Sequence, residues 1–246
     1  MRYFLEVAYK GTNYSGFQSQ KNANTIQAEI QKALKIILKQ QLDLTGSSRT
    51  DAGVHAYQNY FHFDIESQLS SQLLYNLNAI LPSDIAIKDL LKVDDNSHCR
   101  FDALSREYKY HIYQKKDPFL VDKAFYFPYT LDIGTMQKAA TVVKEYSDFT
   151  SFSKRNTQVK SFVCAIKESK WIIEGGCLIY HVKANRFLRG MVRALTATML
   201  NLGRGKMDLT AFRRIIETKD CTLANFSAPA HGLFLTEVRF PDNYFI

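Results

Sequence analysis

The chain has 246 residues, of which 46% are hydrophobic, so it can bury one large core or two smaller ones. Lysine and arginine outnumber aspartate and glutamate by 32 to 24, and the net charge of +8 favours a polyanionic partner, although many proteins are modestly basic. The four cysteines match no disulfide or zinc spacing. Neither a signal peptide nor a membrane span is apparent, so we expect a cytoplasmic protein with reduced thiols.

The first half of the chain alternates between strand and helix patterns. The predicted elements are a strand over 2–9, a polar loop over 10–24, a helix, a strand near 56–64, a second helix over 70–81 and a strand from Ile85. The first helix is indicated by the apolar stripe Ile26, Ile30, Ala33, Leu34, Ile37 and Leu38. We predict that Asn24 caps the first helix with Gln27 as its capping-box partner. Pro82 is predicted to end the second helix.

The second half has a similar order of elements. They are a strand-rich stretch over 100–113, a helix after Asp132, a polar basic stretch over 147–161, strands near 165–173 and 178–184, a long helix over 185–202, a helix over 209–218 and a strand over 232–240. Gly203 is predicted to cap the long helix in the left-handed conformation. The pattern indicates an α+β fold of two units, 1–103 and 104–246, whose sheets join into one.

The segment from Gly46 to Ala56 contains the candidate catalytic group of the first half. Arg49, a threonine and Asp51 are consecutive, and nearby glycines let a ligand approach the backbone. Most loop aspartates close turns or cap helices, and that use stays open here. The arginine favours an ionised carboxylate, however, which can act at a sugar C1′. A glycosidase normally needs two carboxylates, but a uracil that leaves as a delocalised anion needs no strong protein acid.

Two other functions remain open at this point. His55 and His62 follow Asp51, but their spacing matches no common zinc pattern, so we predict packing histidines and no metal. A metal-dependent hydrolase using these three residues is one alternative. A non-catalytic RNA-binding module that does not depend on the aspartate is the other.

Aromatic and basic residues in the second half are compatible with an RNA surface. Tyr108, on a predicted strand, either packs within the sheet or offers a ring on which a displaced base can stack. Arg186, Arg189 and Arg193 lie three and four residues apart on the predicted long helix and would share one face. That face is either a solvated flank or a phosphate-facing ridge with one arginine turned towards the aspartate.

Six segments, in order from one end of the chain to the other, resemble the tRNA pseudouridine synthase A family. They are Tyr14–Gln20, Ser48–Ala56, Arg106–Tyr110, Ala184–Arg193, Gly203–Lys206 and Ala228–Leu233. So many matches in the right order seldom arise by chance. Two residues depart from the family pattern: Phe17 stands where tryptophan is frequent, and Ser48 stands where glycine is common.

The resemblance implies a role for each matching residue. Asp51 matches the catalytic aspartate, Arg193 the arginine that pairs with it, and Arg49 an arginine that helps to displace the uridine. Tyr108 matches the tyrosine that stacks on the target base. The other residues that we expect to bind substrate are Asn185, Arg186, Phe187 and Arg189.

The resemblance also implies a reaction and an assembly. The uridine N1–C1′ bond breaks, the base turns over, and it rejoins the ribose through C5. The implied substrate is uridine at positions 38 to 40 of the tRNA anticodon arm, bound by a homodimer without cofactor or metal. The implied fold is two ferredoxin-like halves sharing a central, mostly antiparallel sheet. The loops 10–24 and 147–161 would clamp the RNA.

Overall fold

A computed structural model describes residues 1–155 and 159–245. Within these ranges the chain forms five α-helices and nine β-strands, and the strands pair mostly antiparallel. The predicted α+β class is therefore confirmed. The chain divides into two compact units, unit 1 (Met1–Ser105 and Leu235–Ile246) and unit 2 (Arg106–Phe234).

Unit 1 has the βαββαβ order of a ferredoxin-like fold. Its elements are β1 (Arg2–Tyr9), α1 (Ile26–Leu38), β2 (Thr45–Gly46), β3 (His55–Asp64), α2 (Gln72–Ile80) and β4 (Ile85–Val93). β1 pairs antiparallel with both β3 and β4, and β2 pairs with β3. Every helix and strand predicted for this part of the chain is present, with boundaries shifted by a few residues at most.

The cap of α1 differs from the prediction. The Thr25 side chain, and not that of Asn24, accepts the hydrogen bond from the Ala28 amide, at 3.2 Å. The Gln27 side chain donates instead to the Leu44 carbonyl, at 2.9 Å. The prediction was wrong because the capping-box pattern takes only neighbouring residues into account, whereas the Gln27 side chain bonds a distant residue and holds the segment that leads into β2.

The last strand, β9 (Leu233–Arg239), begins in unit 2, and its remaining residues belong to unit 1. Within unit 1, the Val238 amide donates to the Gln58 side chain at 2.9 Å. The Phe240 ring lies 5.5 Å from Phe4 and 5.2 Å from Tyr60. A single boundary near residue 103 assigns this C-terminal segment to the second half, whereas its contacts group it with β1 and β3.

Unit 2 is built on a second antiparallel group of strands. Its elements are β5 (Ser105–Tyr113), β6 (Phe125–Tyr126), α3 (Ile133–Val143), β7 (Ile166–Glu174), β8 (Cys177–Ala184), α4 (Met191–Gly203) and α5 (Leu209–Thr218). β8 pairs antiparallel with β5 and β7, and the short β6 runs parallel to β5. Asp132 caps α3 as predicted, because its side chain accepts from the Thr135 amide at 3.0 Å.

The long helix is shorter than the sequence pattern predicts. α4 begins at Met191, after Gly190 in the left-handed conformation (φ +75°), and residues 185–190 form a loop. Asn185 exchanges two hydrogen bonds with the Ala165 backbone, at 2.8 and 3.1 Å, which holds this segment in a non-helical conformation. Gly203 lies inside α4, and the left-handed residue after the helix is Gly205 (φ +71°).

The stretch 147–161 is only partly described, because residues 156–158 lie outside the described ranges. Phe149 and Phe152 in its first part are fully buried, so this part belongs to the core of unit 2 and is not purely a polar loop. The predicted RNA clamp in the remainder stays a prediction. None of the described helices is both long enough and apolar enough to cross a bilayer.

Candidate functional site

The aspartate loop, residues 47–54, connects the paired strands β2 and β3. Asp51 lies on it half-buried, and Arg49 is exposed. The Val54 amide donates to the Asp51 carbonyl at 3.2 Å and closes a turn. Gly53 has φ +78° in this turn, a conformation that residues with a side chain rarely adopt. The local sequence therefore bends the chain immediately after the candidate catalytic residue.

Buried side chains of β1 and β3 hold the aspartate loop in position. The fully buried Asn59 accepts a hydrogen bond from the Ser48 amide at 3.2 Å and donates to the Ser48 carbonyl at 2.8 Å. It also donates to the Tyr9 hydroxyl at 3.1 Å, which in turn shares a hydrogen bond of 2.8 Å with the Thr50 hydroxyl. The residues on both sides of Arg49 are thus tied to β1 and β3.

Sequence reasoning missed Asn59 and Tyr9. Asparagine is depleted in strands, so an asparagine at the centre of a predicted strand indicates a polar group with a specific partner. Tyr9 looked like an ordinary strand residue. Its role depends on the hydroxyl, whose partner lies 41 residues away in the chain.

The loop 10–24 supports the aspartate loop from another direction. The Phe17 amide donates to the Thr50 carbonyl at 3.1 Å, and the Gly11 amide donates to His55 Nδ1 at 3.0 Å. A side chain on Gly11 would collide with the Val54 carbonyl, so only glycine permits this approach. His55 is buried and serves as a hydrogen-bond acceptor for the backbone, which agrees with the predicted packing role.

Arg49 and Asp51, two residues apart on the aspartate loop, do not form an ion pair with each other in the described part of the chain. The Arg49 guanidinium makes no hydrogen bond or ion pair with the residues that the structure describes. Its charge is therefore available to a ligand. The buried Ser48 hydroxyl also has no hydrogen-bond partner in the described part of the chain, at the position where glycine is common in the resembling family.

In unit 2 the structure brings two predicted substrate-binding residues together. Tyr108 is half-buried on β5, opposite Val182 of β8. Its ring lies 5.1 Å from the Phe187 ring at an interplanar angle of 89°, a favourable edge-to-face arrangement. Arg106, also on β5, donates to the Asn185 carbonyl at 3.0 Å. The loop 185–190 is therefore held against the strand that contains Tyr108.

The prediction that the three arginines share one helix face is wrong. Arg186 and Arg189 lie on the loop 185–190, and Arg193 lies in the first turn of α4, so the three do not share a helix face. Arg189 is exposed, and its backbone carbonyl accepts from the Lys154 amide at 3.1 Å. The half-buried Arg193 donates through Nε to the Ala228 carbonyl at 2.7 Å. This bond joins two of the segments on which the family resemblance rests.

The potential metal ligands of the described residues group elsewhere. His62, His98 and Cys99 offer ligand atoms within 4.8 Å of one another, and this group includes neither Asp51 nor His55. The structure therefore does not assemble the hydrolase site that the sequence left open. Burial lowers the pKa of His62 to about 4 and also lowers that of His98, so both rings are neutral at pH 7.

Each member of the His62–His98–Cys99 cluster already has a protein partner. His62 Nδ1 accepts from the Cys99 amide at 3.3 Å, and the Cys99 thiol donates to the Thr45 carbonyl at 3.2 Å. His98 Nδ1 accepts from the Arg100 amide at 3.1 Å. Neutral, hydrogen-bonded side chains are the usual state of buried polar groups. These hydrogen bonds tie the segment after β4 to β2 and β3.

The described residues thus offer a half-buried carboxylate, exposed arginines and a pair of aromatic rings on an α+β scaffold, and basic and aromatic groups are those that RNA-binding proteins use. Comparison with known proteins agrees with this class. The sequence model of the family described as tRNA pseudouridine synthase matches residues 6–102 and 146–241. The chain therefore belongs to the tRNA pseudouridine synthase family, whose members are RNA-modifying isomerases.

Individual relatives extend the similarity over nearly the whole chain. A tRNA pseudouridine synthase A of Azobacteroides pseudotrichonymphae is 44% identical over 98% of this chain and 97% of its own length. The protein of that name from Parabacteroides distasonis is 43% identical over 99% and 98% of the two chains. One from Staphylococcus aureus is 38% identical over 99% and 92%.

Proposed function

We propose that this isomerase converts uridine to pseudouridine at positions 38 to 40 of the tRNA anticodon arm, with Asp51 as its catalytic residue. The support for the reaction class is family membership over most of the chain. The observation that favours Asp51 is the geometry of its loop, which buried side chains of β1 and β3 fix on both sides of Arg49. A catalytic group needs such preorganisation because small displacements reduce the rate sharply.

The proposed reaction is an isomerisation, so no external reactant is consumed. The N1–C1′ bond breaks, and a new bond forms between C5 and C1′. The proton on C5 is then lost, and N1 gains one. Positive charge develops at C1′ as the first bond breaks, and the Asp51 carboxylate stabilises it. Arg193 is the proposed ion-pair partner of this carboxylate.

Binding must first expose the target nucleotide. A uridine in a stem leaves its stack at a cost of about a few kcal/mol, and contacts with the protein must offset that cost. Arg49 is exposed with an unpaired charge among the described residues, so it can bind the displaced strand. Tyr108 is held by Phe187 and is the proposed stacking partner of the base. Arg186, Arg189 and Asn185 are proposed to contact the RNA backbone.

The homodimer and the cytoplasmic location that the sequence led us to expect belong to this proposal. Light scattering during size-exclusion chromatography measures the first directly. A single protein chain per particle, both in the free protein and in its complex with tRNA, would contradict the dimer. Fractionation of cells that express the tagged protein measures the second.

The decisive experiment uses tRNA transcripts labelled with tritium at uridine C5. We expect wild-type protein to release tritium and to form pseudouridine at positions 38 to 40, and transcripts with cytidine at these positions to release none. Asp51→Ala should bind tRNA without releasing tritium. Binding without modification by the wild type would support the RNA-binding module instead, and inhibition by a chelator would support the hydrolase. Modification at other positions would overturn the anticodon-arm assignment alone.

A further inference from the structure

A pocket of about 320 Å³ lies in unit 1 next to the aspartate loop. The residues that matter for its chemistry are Gln18, Gly46, Arg49, His98, Arg100 and Phe101. We call it the Phe101 pocket. Its volume is near the lower end of the range of about 300–1,000 Å³ for small-ligand sites. It therefore suits a group the size of one nucleotide and not a peptide or an RNA stem.

The charge of the Phe101 pocket is positive. Arg49 and Arg100 contribute two guanidinium groups, and both residues are exposed. No acidic residue is among the described residues that line the pocket. Guanidinium groups bind phosphate through paired, charge-assisted hydrogen bonds. The pocket is therefore suited to an anionic ligand.

An aromatic surface stands beside these charges. Phe101 is 73% exposed, although a phenylalanine ring normally gains stability from burial. The His98 ring lies 4.2 Å from it, and the Arg100 guanidinium carbon lies 5.6 Å from its centroid. Exposed rings next to cationic side chains are the usual platform on which unpaired bases stack.

The platform is held in place by His98. Its Nδ1 accepts hydrogen bonds from the Arg100 amide at 3.1 Å and the Phe101 amide at 3.4 Å. The His98 amide donates to the Asp102 carboxylate at 2.7 Å, which closes the same turn. These bonds fix the backbone of Arg100 and Phe101 in one turn before any ligand binds.

Phe17, Gln18 and Gly46 also line the pocket. A side chain on Gly46 would collide with the Phe17 ring, which stacks on Phe61 at 4.3 Å. Glycine at this position therefore lets the Phe17 ring, which also lines the pocket, pack against the backbone of β2. The exposed Gln18 amide adds a donor and an acceptor, the pair of groups that can bind the edge of a base.

We propose that the Phe101 pocket binds one unpaired tRNA nucleotide next to the target uridine. Its base stacks on Phe101, and its phosphate is bound by Arg49 and Arg100. This inference rests on the proposed function and adds to it a second nucleotide subsite. The subsite holds the nucleotide next to the target after the target base has left the base stack. The displaced conformation of the RNA is therefore stabilised at two successive nucleotides.

The test is a double-mutant cycle between the protein and the RNA. Anticodon-arm RNAs are prepared with a single abasic nucleotide at each unpaired position near the target. Dissociation constants are measured for the wild type, Phe101→Ala, Phe101→Trp and Phe119→Ala. Phe119 is 83% exposed and lies in unit 2, so its substitution is a matched control for loss of a surface ring.

We expect Phe101→Ala to weaken binding of the intact RNA about tenfold, the effect of losing one base–aromatic stack. At one RNA position, removal of the base should weaken binding to the wild type by a similar factor and to Phe101→Ala by less than twofold. Phe101→Trp should retain wild-type affinity, as should Phe119→Ala. Thermal unfolding of each variant checks that the fold is intact.

Two results would overturn the subsite. One is intact-RNA affinity of Phe101→Ala within twofold of the wild type. The other is a set of losses that multiply at every abasic position, because independent effects show no coupling. Failure of the proposed function is seen separately, as absence of pseudouridine in intact RNA with the wild-type protein.

Discussion

The aspartate loop of unit 1 and the loop 185–190 of unit 2 are held in different ways. Buried side chains tie the first at Ser48 and Thr50, through Asn59 and Tyr9. The second is held mainly at its first residue, Asn185, whose side chain and amide bond the Ala165 backbone and whose carbonyl accepts from Arg106. The Arg189 side chain in the same loop is exposed. A loop that must position one reacting oxygen needs an internal scaffold, whereas phosphate contacts tolerate movement. The difference suggests a division between chemistry and binding.

The strongest test of this division is Asp51→Asn. We expect the single-turnover rate to fall by about a thousandfold or more, because the uncharged amide can neither attack nor stabilise charge at C1′. The dissociation constant for tRNA should stay within about tenfold of the wild type, because binding depends mainly on phosphates. Rapid-quench measurement of tritium release, together with filter binding, checks both. A variant as active as the wild type would remove Asp51 from the mechanism.

The hydrogen bonds that hold the aspartate loop can be tested with Asn59→Ala. This change leaves Ser48 and Tyr9 without their buried partner, so we expect the free energy of unfolding to fall by about 2–4 kcal/mol. The rate with saturating tRNA should also fall, by about tenfold to a hundredfold, because the loop loses its fixed position.

A matched control for Asn59→Ala is Asn78→Ala. Asn78 bonds the amide and carbonyl of Ile87 at 2.8 and 2.9 Å, in the same unit. Its loss should lower the free energy of unfolding by about 1–2 kcal/mol without changing the rate for folded protein. Equal rates in Asn59→Ala and Asn78→Ala would show that the scaffold stabilises the fold but does not position the aspartate.

A third prediction concerns the pH dependence of stability in unit 1. Burial lowers the pKa of His62 from the ordinary value of 6.5 to about 4. Between these values the unfolded chain takes up a proton that the folded protein does not, so the free energy of unfolding falls as the pH falls. The contribution is fully present above pH 6.5. We expect this residue to account for a loss of about 2 kcal/mol by pH 4.5.

Urea unfolding of the wild type and His62→Asn between pH 4.5 and 8 measures this contribution. The variant is expected to be less stable throughout but to lose less stability on acidification. Identical slopes for the two proteins would show that His62 does not titrate in this range. The activity of the folded variant tests whether the His62–His98–Cys99 cluster also affects the neighbouring aspartate loop.

The smallest expected effect is that of Arg189→Gln in the loop 185–190. Removing the proposed phosphate contact should weaken tRNA binding severalfold and lower the slope of log Kd against log salt by about 1, irrespective of tRNA sequence. Titrations at several potassium chloride concentrations measure the slope. A large loss of single-turnover rate at saturating tRNA would instead place this residue in the chemistry and would contradict the division between the two loops.

Much of the fold was predictable because it follows from local periodicity. The buried stripe Ile26, Ile30 and Leu34 specifies α1, and Asp132 caps α3 as expected. The errors occur where a distant residue supplies the partner. Periodicity extended α4 back to residue 185, but the bonds between Asn185 and Ala165 hold that segment as a loop. A window of neighbouring residues contains no information about that pairing.

The sequence by itself determined the α+β class, the family and the candidate catalytic Asp51, because these depend on residue types in a fixed order. Only the tertiary structure decided which side chains hold the aspartate loop in place and that an exposed Phe101 lines the same pocket as Arg49. The physical reason is that hydrogen bonds and ring contacts form between residues adjacent in space. Asn59 and Tyr9 are 50 positions apart in the chain, yet they bond to each other beneath the same loop.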